Sequence, residues 1–279
     1  MAKIIAISNQ KGGVGKTTTS VNLSASLSVA ERKTLLLDLD PQGNSSTGLG
    51  VENEIFEDSN IYHCLIGQKE LKEAIYETQL PLLDICPSDN NLVGAEIELV
   101  GAFAREQKLK LALEKVADDY DYIIIDCPPS LSLLTVNALN AADSYIVPLQ
   151  TEYFALEGLS QLLNTISLIR SSLNPELAME GILLTMYDAR NNLSKQVAED
   201  IKQNFKEEDV FKTIIPRNVK LSECPSHGQP IIVYDITSKG SEAYLDLARE
   251  IIMREPKEVE SHPSMNEIPR FEDYQSPEA

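Results

Sequence analysis

Residues 9–19, NQKGGVGKTTT, constrain the fold more than any other stretch of this 279-residue chain. An apolar run at residues 4–7 leads directly into them, and a helical pattern follows over residues 16–29. A strand, a glycine-rich turn, a Lys-Thr pair and a helix are the parts of a phosphate-binding loop. Glycines let successive backbone N–H groups approach one anion, and the helix directs its positive end at the same point. We therefore expect Lys16 to contact phosphates and Thr17 to offer its hydroxyl to Mg²⁺.

The loop departs from the usual pattern at one position. Gln10 stands where a glycine is common, and a lysine, Lys11, precedes Gly12 and Gly13. The resulting KGGVGKTT is the deviant form of the Walker A motif. The alternative is a glycine-rich turn that merely contains a lysine, and the flanking strand, the flanking helix and the threonine run all disfavour it.

Two further apolar runs end in aspartate. Residues 34–39, TLLLDL, stop before a Pro-Gln-Gly turn and leave Asp40 at the strand end, and residues 122–126, YIIID, end in Asp126. Runs that are apolar on both faces suit parallel strands covered by helices on both sides, and ligands bind at the carboxyl ends of such strands. We expect Asp126 to organise Mg²⁺; a turn or capping role remains the alternative for Asp40. Cys127 is interpreted as a buried thiol, because no histidine lies close in sequence.

Strand and helix patterns alternate along the chain, with a long helix expected over residues 96–116 and a strand over residues 211–215. This alternation predicts an α/β fold: a doubly wound, mostly parallel sheet with helices on both faces. We expect one domain over residues 1–254. Residues 255–279 hold seven acidic residues, two basic residues and four prolines. This composition predicts an acidic, disordered tail.

The charge balance limits the functions that the bulk of the chain can serve. There are 24 Lys+Arg against 43 Asp+Glu, which gives a net charge of −19. Binding of nucleic acid therefore requires a local basic patch rather than bulk charge. The four cysteines are far apart, so zinc and disulfide frameworks are not expected. The first strand begins too early to leave room for a signal peptide, and no apolar run reaches the roughly 18 residues of a membrane span.

Five segments together resemble one family. KGGVGKTTT, LLLDLDPQGN, YDYIIIDCPPSL, GILLTMYDAR and IIPRNVKLSECPSHGQPI occur in the order seen in ParA/Soj-type chromosome-partitioning ATPases. The resemblance covers residues 1–254. Within the family, the chain is similar to the chromosomal Soj branch, without the N-terminal helix-turn-helix of plasmid members. It implies slow hydrolysis of ATP with Mg²⁺, a monomer without ATP, and an ATP-dependent sandwich homodimer.

The resemblance also implies roles for individual residues. Lys11 would reach the partner's nucleotide, Gly12 would lie where the two chains meet, and Asp40 would orient the attacking water beside Lys16. Asp126 would support Mg²⁺ through water, together with Thr17. The implied nucleotide-binding residues are Lys11, Gly12, Gly13, Val14, Gly15, Lys16, Thr17, Thr18, Pro216, Arg217 and Asn218, of which the last three pack against the adenine.

The partners that the resemblance implies are non-specific double-stranded DNA and a ParB/Spo0J-type centromere-binding protein. Such a protein would be cytoplasmic and associated with the nucleoid, and a replication initiator stays open as a further partner. Arg190 occupies the family's DNA-binding position, with Lys195, Arg217 and Lys220 as plausible neighbours. Each of these four, taken alone, also fits an ordinary surface charge.

Three alternatives to this function remain. A MinD-like membrane-associated ATPase would need a basic amphipathic helix at its C-terminus, whereas the end of this chain is acidic and proline-rich. A relative of the nitrogenase iron protein would need cluster-ligating cysteines at a dimer axis. A non-enzymatic protein that uses nucleotide only for folding is disfavoured by Asp40 and Asp126.

Overall fold

A computed structural model describes residues 1–152 and 155–255. Seven strands of this part form one sheet in the order β3-β4-β2-β5-β1-β6-β7, in which only the edge pair β3–β4 is antiparallel. The strands are β1 Lys3–Ile7, β2 Thr34–Asp38, β3 Tyr76–Glu77, β4 Leu83–Cys86, β5 Tyr122–Asp126, β6 Ser144–Gln150 and β7 Ala178–Thr185.

The α-helices of the described residues alternate with these strands, and short 3₁₀ turns join several of them. The helices are α1 Lys16–Val29, α2 Asn44–Gly48, α3 Asn53–Phe56, α4 Ile61–Leu65, α5 Leu92–Glu98, α6 Lys108–Leu113, α7 Leu133–Ala141, α8 Ala155–Ser172, α9 Asn192–Asn204, α10 Val219–Glu223, α11 Ile231–Tyr234 and α12 Lys239–Met253.

Side chains that alternate along the central strands build two separate cores, one on each face of the sheet. In β2, Leu35 and Leu37 join one apolar cluster with α5, α6, α7 and α8, whereas Leu36 joins the other cluster with α1 and α12. This alternation follows from the two-residue period of a strand. The predicted doubly wound α/β fold is therefore confirmed. The expected tail lies, from residue 256 onward, outside the described residues.

The prediction of one long helix over residues 96–116 is wrong. The chain forms α5 and α6 instead, separated by two 3₁₀ turns and by Ala104 in the left-handed region at φ 51°. Between α5 and α6, backbone carbonyls accept hydrogen bonds from side chains. Arg105 Nη1 donates to Val100 O at 2.9 Å, and Asn137 Nδ2 donates to Arg105 O at 2.9 Å. Helical periodicity of apolar residues does not reveal such competition for carbonyl groups.

The strand expected over residues 211–215 is also wrong, although the chain does follow the edge strand β7. Phe211 N and Ile215 N donate to carbonyls of β7 at 3.0 and 2.9 Å. Between them, however, Lys212 N and Thr213 N donate to the carboxylate of Glu250 on α12, at 2.9 and 3.0 Å. The Glu250 carboxylate thus accepts from two N–H groups of residues 211–215. Between this part of the chain and β7 or the residues after it, only isolated β-bridges form.

The sheet order places the predicted site residues at one edge. β5 lies between β2 and β1 and is parallel to both, with Asp38 opposite Asp126 and Asp126 opposite Ile7. The loop after β1, the turn after β2 and the end of β5 therefore meet at the carboxyl ends of three adjacent strands.

Candidate nucleotide-binding site

The glycine-rich loop between β1 and α1 leaves an open cradle of backbone groups. Gly13 and Gly15 have φ values of 73° and 89°, and no heavy atom lies within 4 Å of a Cβ built on Gly12 or Gly13. Gly15 is the N-cap of the 14-residue helix α1, and no side chain caps this end. The first N–H groups of a helix need an acceptor, so this cradle fits a phosphate group.

Lys16 brings a buried ammonium group to this cradle. Its side chain is only 6% exposed, and among the described residues Nζ makes one hydrogen bond, a long one of 3.3 Å to Lys11 O. Burial lowers the pKa of Lys16, and the nearby charges of Asp126 and Asp40 oppose that shift. The ammonium group thus retains donors that can bind phosphate oxygens.

Asp40 and Asp126 lie beside Lys16, as the sequence predicts. Asp126 is fully buried and accepts hydrogen bonds from two serine hydroxyls, and burial raises its pKa. Asp40 is 8% exposed, and its Oδ1 accepts a bond of 3.0 Å from Gln42 N. The site therefore combines one buried cation with two carboxylates of different burial.

A third carboxylate, Asp38, belongs to the same cluster, and the sequence analysis missed it. Asp38 is fully buried at the end of β2, opposite Asp126 in the neighbouring strand. Its pKa is raised by burial and by the charge of Asp126, while backbone N–H donors from Asp40 and Ser46 moderate the shift. The Asp-Leu-Asp spacing contains the signal, because both aspartates follow the same apolar run.

A cavity of about 270 Å³ opens next to the loop. Pro216, Arg217 and Asn218, expected at the adenine, line it together with Thr18 and Met186. Met186 has a φ of 52°, an unusual conformation for a residue other than glycine, and such strain tends to occur at functional sites. Gly15 borders both the cavity and the phosphate cradle. A nucleoside in the cavity could therefore be joined to phosphates in the cradle.

Lys11 is held away from the cradle of its own chain. Its Nζ lies 2.7 Å from Glu152 Oε2, and the two side chains are 43% and 49% exposed. Gln150 Nε2 donates to the other oxygen of Glu152 at 2.5 Å, and Asn9 Oδ1 accepts from Lys11 N at 3.0 Å. The sequence does not predict Glu152 as the partner of Lys11, because the two residues are 141 positions apart.

The four basic residues expected at a DNA surface differ in their local contacts. The loop of Arg190 and the loop of Arg217 are adjacent, since Arg217 N donates to Tyr187 O at 2.9 Å, and Lys195 is exposed on α9. Lys220 instead lies 3.7 Å from Glu223 on its own helix and over the Tyr234 ring.

Arg190 is 90% exposed but is not a free charge. Its Nε and Nη2 donate to the two carboxylate oxygens of Asp188 at 3.0 and 2.9 Å. These hydrogen bonds lower the pKa of Asp188 to about 2, so the pair stays ionised at any physiological pH. A DNA phosphate would have to compete with this carboxylate for the guanidinium group.

Comparison with known proteins agrees with this geometry. The family model described as AAA domain matches residues 2–179. Soj, the sporulation initiation inhibitor protein of Bacillus subtilis, is 57% identical over 90% of this chain and 98% of its own length. The chain belongs to the ParA/Soj family. The chromosome partitioning protein ParA of Myxococcus xanthus is 56% identical over 91% of this chain and 89% of its own length.

A solved structure supports the fold independently. Cobyrinic acid a,c-diamide synthase from Mycobacterium smegmatis, with bound ADP and magnesium, has a TM-score of 0.78 and 38% identity, and the match covers 89% of this chain and 93% of that one. Separately, none of the helices within the described residues is long and apolar enough to cross a membrane.

Proposed function

We propose that this ParA/Soj-family protein is a slow ATPase that acts in chromosome partitioning, dimerises when it binds ATP, and binds DNA as that dimer. One observation carries the proposal: Lys16, Asp40 and Asp126 meet beside an uncapped glycine loop, while Lys11 of the same loop is turned to the surface. Relatives named for chromosome partitioning and a similar structure with ADP and magnesium support it.

In this proposal the chain's own groups bind and orient the substrate. The loop N–H groups and Lys16 would hold the phosphates, Thr17 and Asp126 would hold Mg²⁺, and Pro216–Asn218 would contact the adenine. Bound MgATP supplies the phosphoanhydride bond and a cation that neutralises its charge. Asp40 orients the attacking water, because its Oδ1 is fixed by Gln42 N while the side chain stays slightly exposed. Phosphoryl transfer depends mainly on such positioning and charge.

Dimerisation completes the site through Lys11. The ammonium group of Lys11 leaves Glu152 and contacts the nucleotide of the partner protomer, so hydrolysis depends on assembly. Gly12 lies where the two loops approach each other. A Cβ at Gly12 meets nothing within 4 Å in the single chain, so the need for glycine arises only in the dimer.

DNA binding follows from assembly in the same way. Arg190, Lys195, Arg217 and Lys220 contact phosphates without reading bases, and the dimer doubles each contact. This doubling allows a chain of net charge −19 to bind DNA. A ParB/Spo0J-type protein stimulates hydrolysis and thereby releases the dimer from the nucleoid; a link to replication initiation is a further, separate expectation.

The test is co-sedimentation of the protein with two unrelated DNA duplexes, and in parallel with anionic liposomes, in ATP, in ADP and without nucleotide. We expect recovery with both duplexes in ATP alone, and none with liposomes. Lys16→Ala is the control and should bind neither. Binding to liposomes but not to DNA would favour a MinD-like protein and overturn the DNA proposal.

A further inference from the structure

Asp126 is held by two serine hydroxyls from different helices. Ser20 Oγ of α1 lies 3.0 Å from Asp126 Oδ1, and Ser45 Oγ of α2 lies 2.8 Å from Asp126 Oδ2. Asp126, Ser20 and Ser45 all have 0% exposure. Each carboxylate oxygen thus has one serine hydroxyl as a hydrogen-bond partner, and all three side chains are buried.

The two hydroxyls differ in how they use their single hydrogen. Ser20 Oγ is also 3.0 Å from Lys16 O, so its one hydrogen is shared between that carbonyl and Asp126. Ser45 Oγ makes no second hydrogen bond among the described residues, and its hydrogen is committed to Asp126. Of the two serines, Ser45 is therefore the stronger determinant of the orientation of this carboxylate, while the Thr17 hydroxyl also helps to lower the pKa of Asp126.

Ser45 also connects Asp126 to the segment that carries Asp40. Its backbone N donates to Asp38 Oδ2 at 3.0 Å, and Asp38 Oδ1 accepts from Asp40 N at 3.1 Å. α2 is only five residues long and begins just after the Asp40 turn. The Asp40 turn and the hydroxyl that donates to Asp126 are thus joined by this short helix and by the Asp38 carboxylate.

We propose that Ser45 is a positioning residue that couples the orientation of the Asp126 carboxylate to the placement of the Asp40 turn. The inference rests on the proposed ATPase function, in which Asp126 supports Mg²⁺. Hydrogen bonds to a carboxylate that serves a metal fix its orientation, and their loss typically weakens metal affinity or activity about 10- to 100-fold. Ser45→Ala should act through Mg²⁺ rather than through nucleotide contacts.

The chain offers a matched control in the next residue. Ser46 is on the same helix, is 1% exposed, and donates from Oγ to Asp38 Oδ2 at 3.2 Å. Ser46→Ala therefore removes one buried hydroxyl of the same kind, but it leaves Asp126 untouched. Asp38 Oδ2 still accepts from the backbone N–H groups of both serines.

The experiment titrates Mg²⁺ into the full chain with a fluorescent ADP derivative and measures nucleotide binding; ATP turnover and thermal unfolding are recorded alongside. We expect the half-saturating Mg²⁺ concentration to rise about tenfold in Ser45→Ala and less than twofold in Ser46→Ala, with nucleotide affinity in excess Mg²⁺ little changed. Equal shifts in the two variants, or no shift in Ser45→Ala, would overturn the inference.

Two further measurements keep the outcome decisive. If Ser45→Ala does not fold, Ser45→Cys replaces the hydroxyl by a weaker donor of similar shape and should give an intermediate Mg²⁺ shift; a wild-type value in that variant would also overturn the inference. If the unmodified protein shows no Mg²⁺-dependent binding of nucleotide, the proposed function itself fails. If the unmodified protein does bind nucleotide in a Mg²⁺-dependent way, but Ser45→Ala and Ser46→Ala shift the half-saturating Mg²⁺ concentration equally, the positioning role alone is refuted.

Discussion

Removal of the charge of Glu152 provides a direct test of how Lys11 is used. In the single chain, Lys11 Nζ and Glu152 Oε2 are 2.7 Å apart. The proposed dimer requires each Lys11 to leave this carboxylate and to contact the partner's nucleotide. Glu152→Gln keeps the shape of the side chain but weakens its hold on the ammonium group. We therefore expect the variant to dimerise more tightly in ATP.

The exposure of the pair sets the size of this effect. The side chains are 43% and 49% exposed, and such surface pairs contribute about 0.2–1 kcal/mol. Because both protomers break the pair, the dimer should gain roughly 0.4–2 kcal/mol, which lowers its dissociation constant about 2- to 30-fold. Salt screens exposed charges, so the difference between variant and parent should shrink as ionic strength rises.

Sedimentation equilibrium in ATP over a range of protein concentrations measures this constant. Asp40→Ala is included in every protein so that turnover does not deplete the dimer. Glu70→Gln is the matched control, since it weakens another exposed ion pair, in which Glu70 lies 2.8 Å from Lys115. The side chains of Lys115 and Glu70 are 58% and 66% exposed. If Glu152→Gln dimerises no more tightly than Glu70→Gln, or more weakly than the parent, Glu152 does not compete with the dimer for Lys11 and the reasoning is refuted.

Four other substitutions, one of them with a matched control, test separate parts of the proposal. Lys16→Ala should lower nucleotide affinity at least tenfold, and unchanged binding by calorimetry would contradict its contact with phosphates. Asp40→Ala should still bind ATP yet lose turnover, so gel filtration should show a lasting dimer; turnover at the parent rate would exclude its role. Gly12→Val should fold and bind ATP as a monomer, whereas Gly15→Val, at φ 89°, should lower thermal stability as well; an ATP-dependent dimer of Gly12→Val would refute the interface. Arg190→Ala should leave dimerisation intact and lower the salt slope of DNA binding by about two, since each protomer loses one phosphate contact of about 0.9; an unchanged slope in a salt titration would place the DNA surface elsewhere.

The features that the sequence predicted are those that neighbouring residues determine. The strand, loop and helix around Lys16 follow from residues within a few positions of one another, and α1 has the predicted bounds. Asp40 and Asp126 could be placed because Asp126 ends β5 and Asp40 follows the end of β2 by two residues, and the carboxyl ends of parallel strands share one edge of the sheet. Local pattern thus predicted which edge of the sheet brings these side chains together, without any tertiary information.

The features that were missed depend on contacts between distant segments. Ser45 donates to a residue 81 positions away, and Lys11 pairs with one 141 positions away. The expected strand at residues 211–215 failed for a similar reason, because Glu250, 37 and 38 positions away, captures two of its backbone donors. Each of these contacts joins polar groups whose pairing becomes visible only when the fold brings them together.

The pairing of Arg190 with Asp188 explains why assembly should precede DNA binding. A phosphate that displaces this carboxylate gains one charged contact and loses another, so a single protomer gains little from the exchange. The carboxylate cannot be removed by protonation near neutral pH, because its pKa lies at about 2. In the proposed dimer, however, two such sites would bind a single duplex together, and the second contact would form at a high effective concentration. Weak individual contacts would therefore make the proposed DNA affinity depend steeply on the dimer, and hence on ATP.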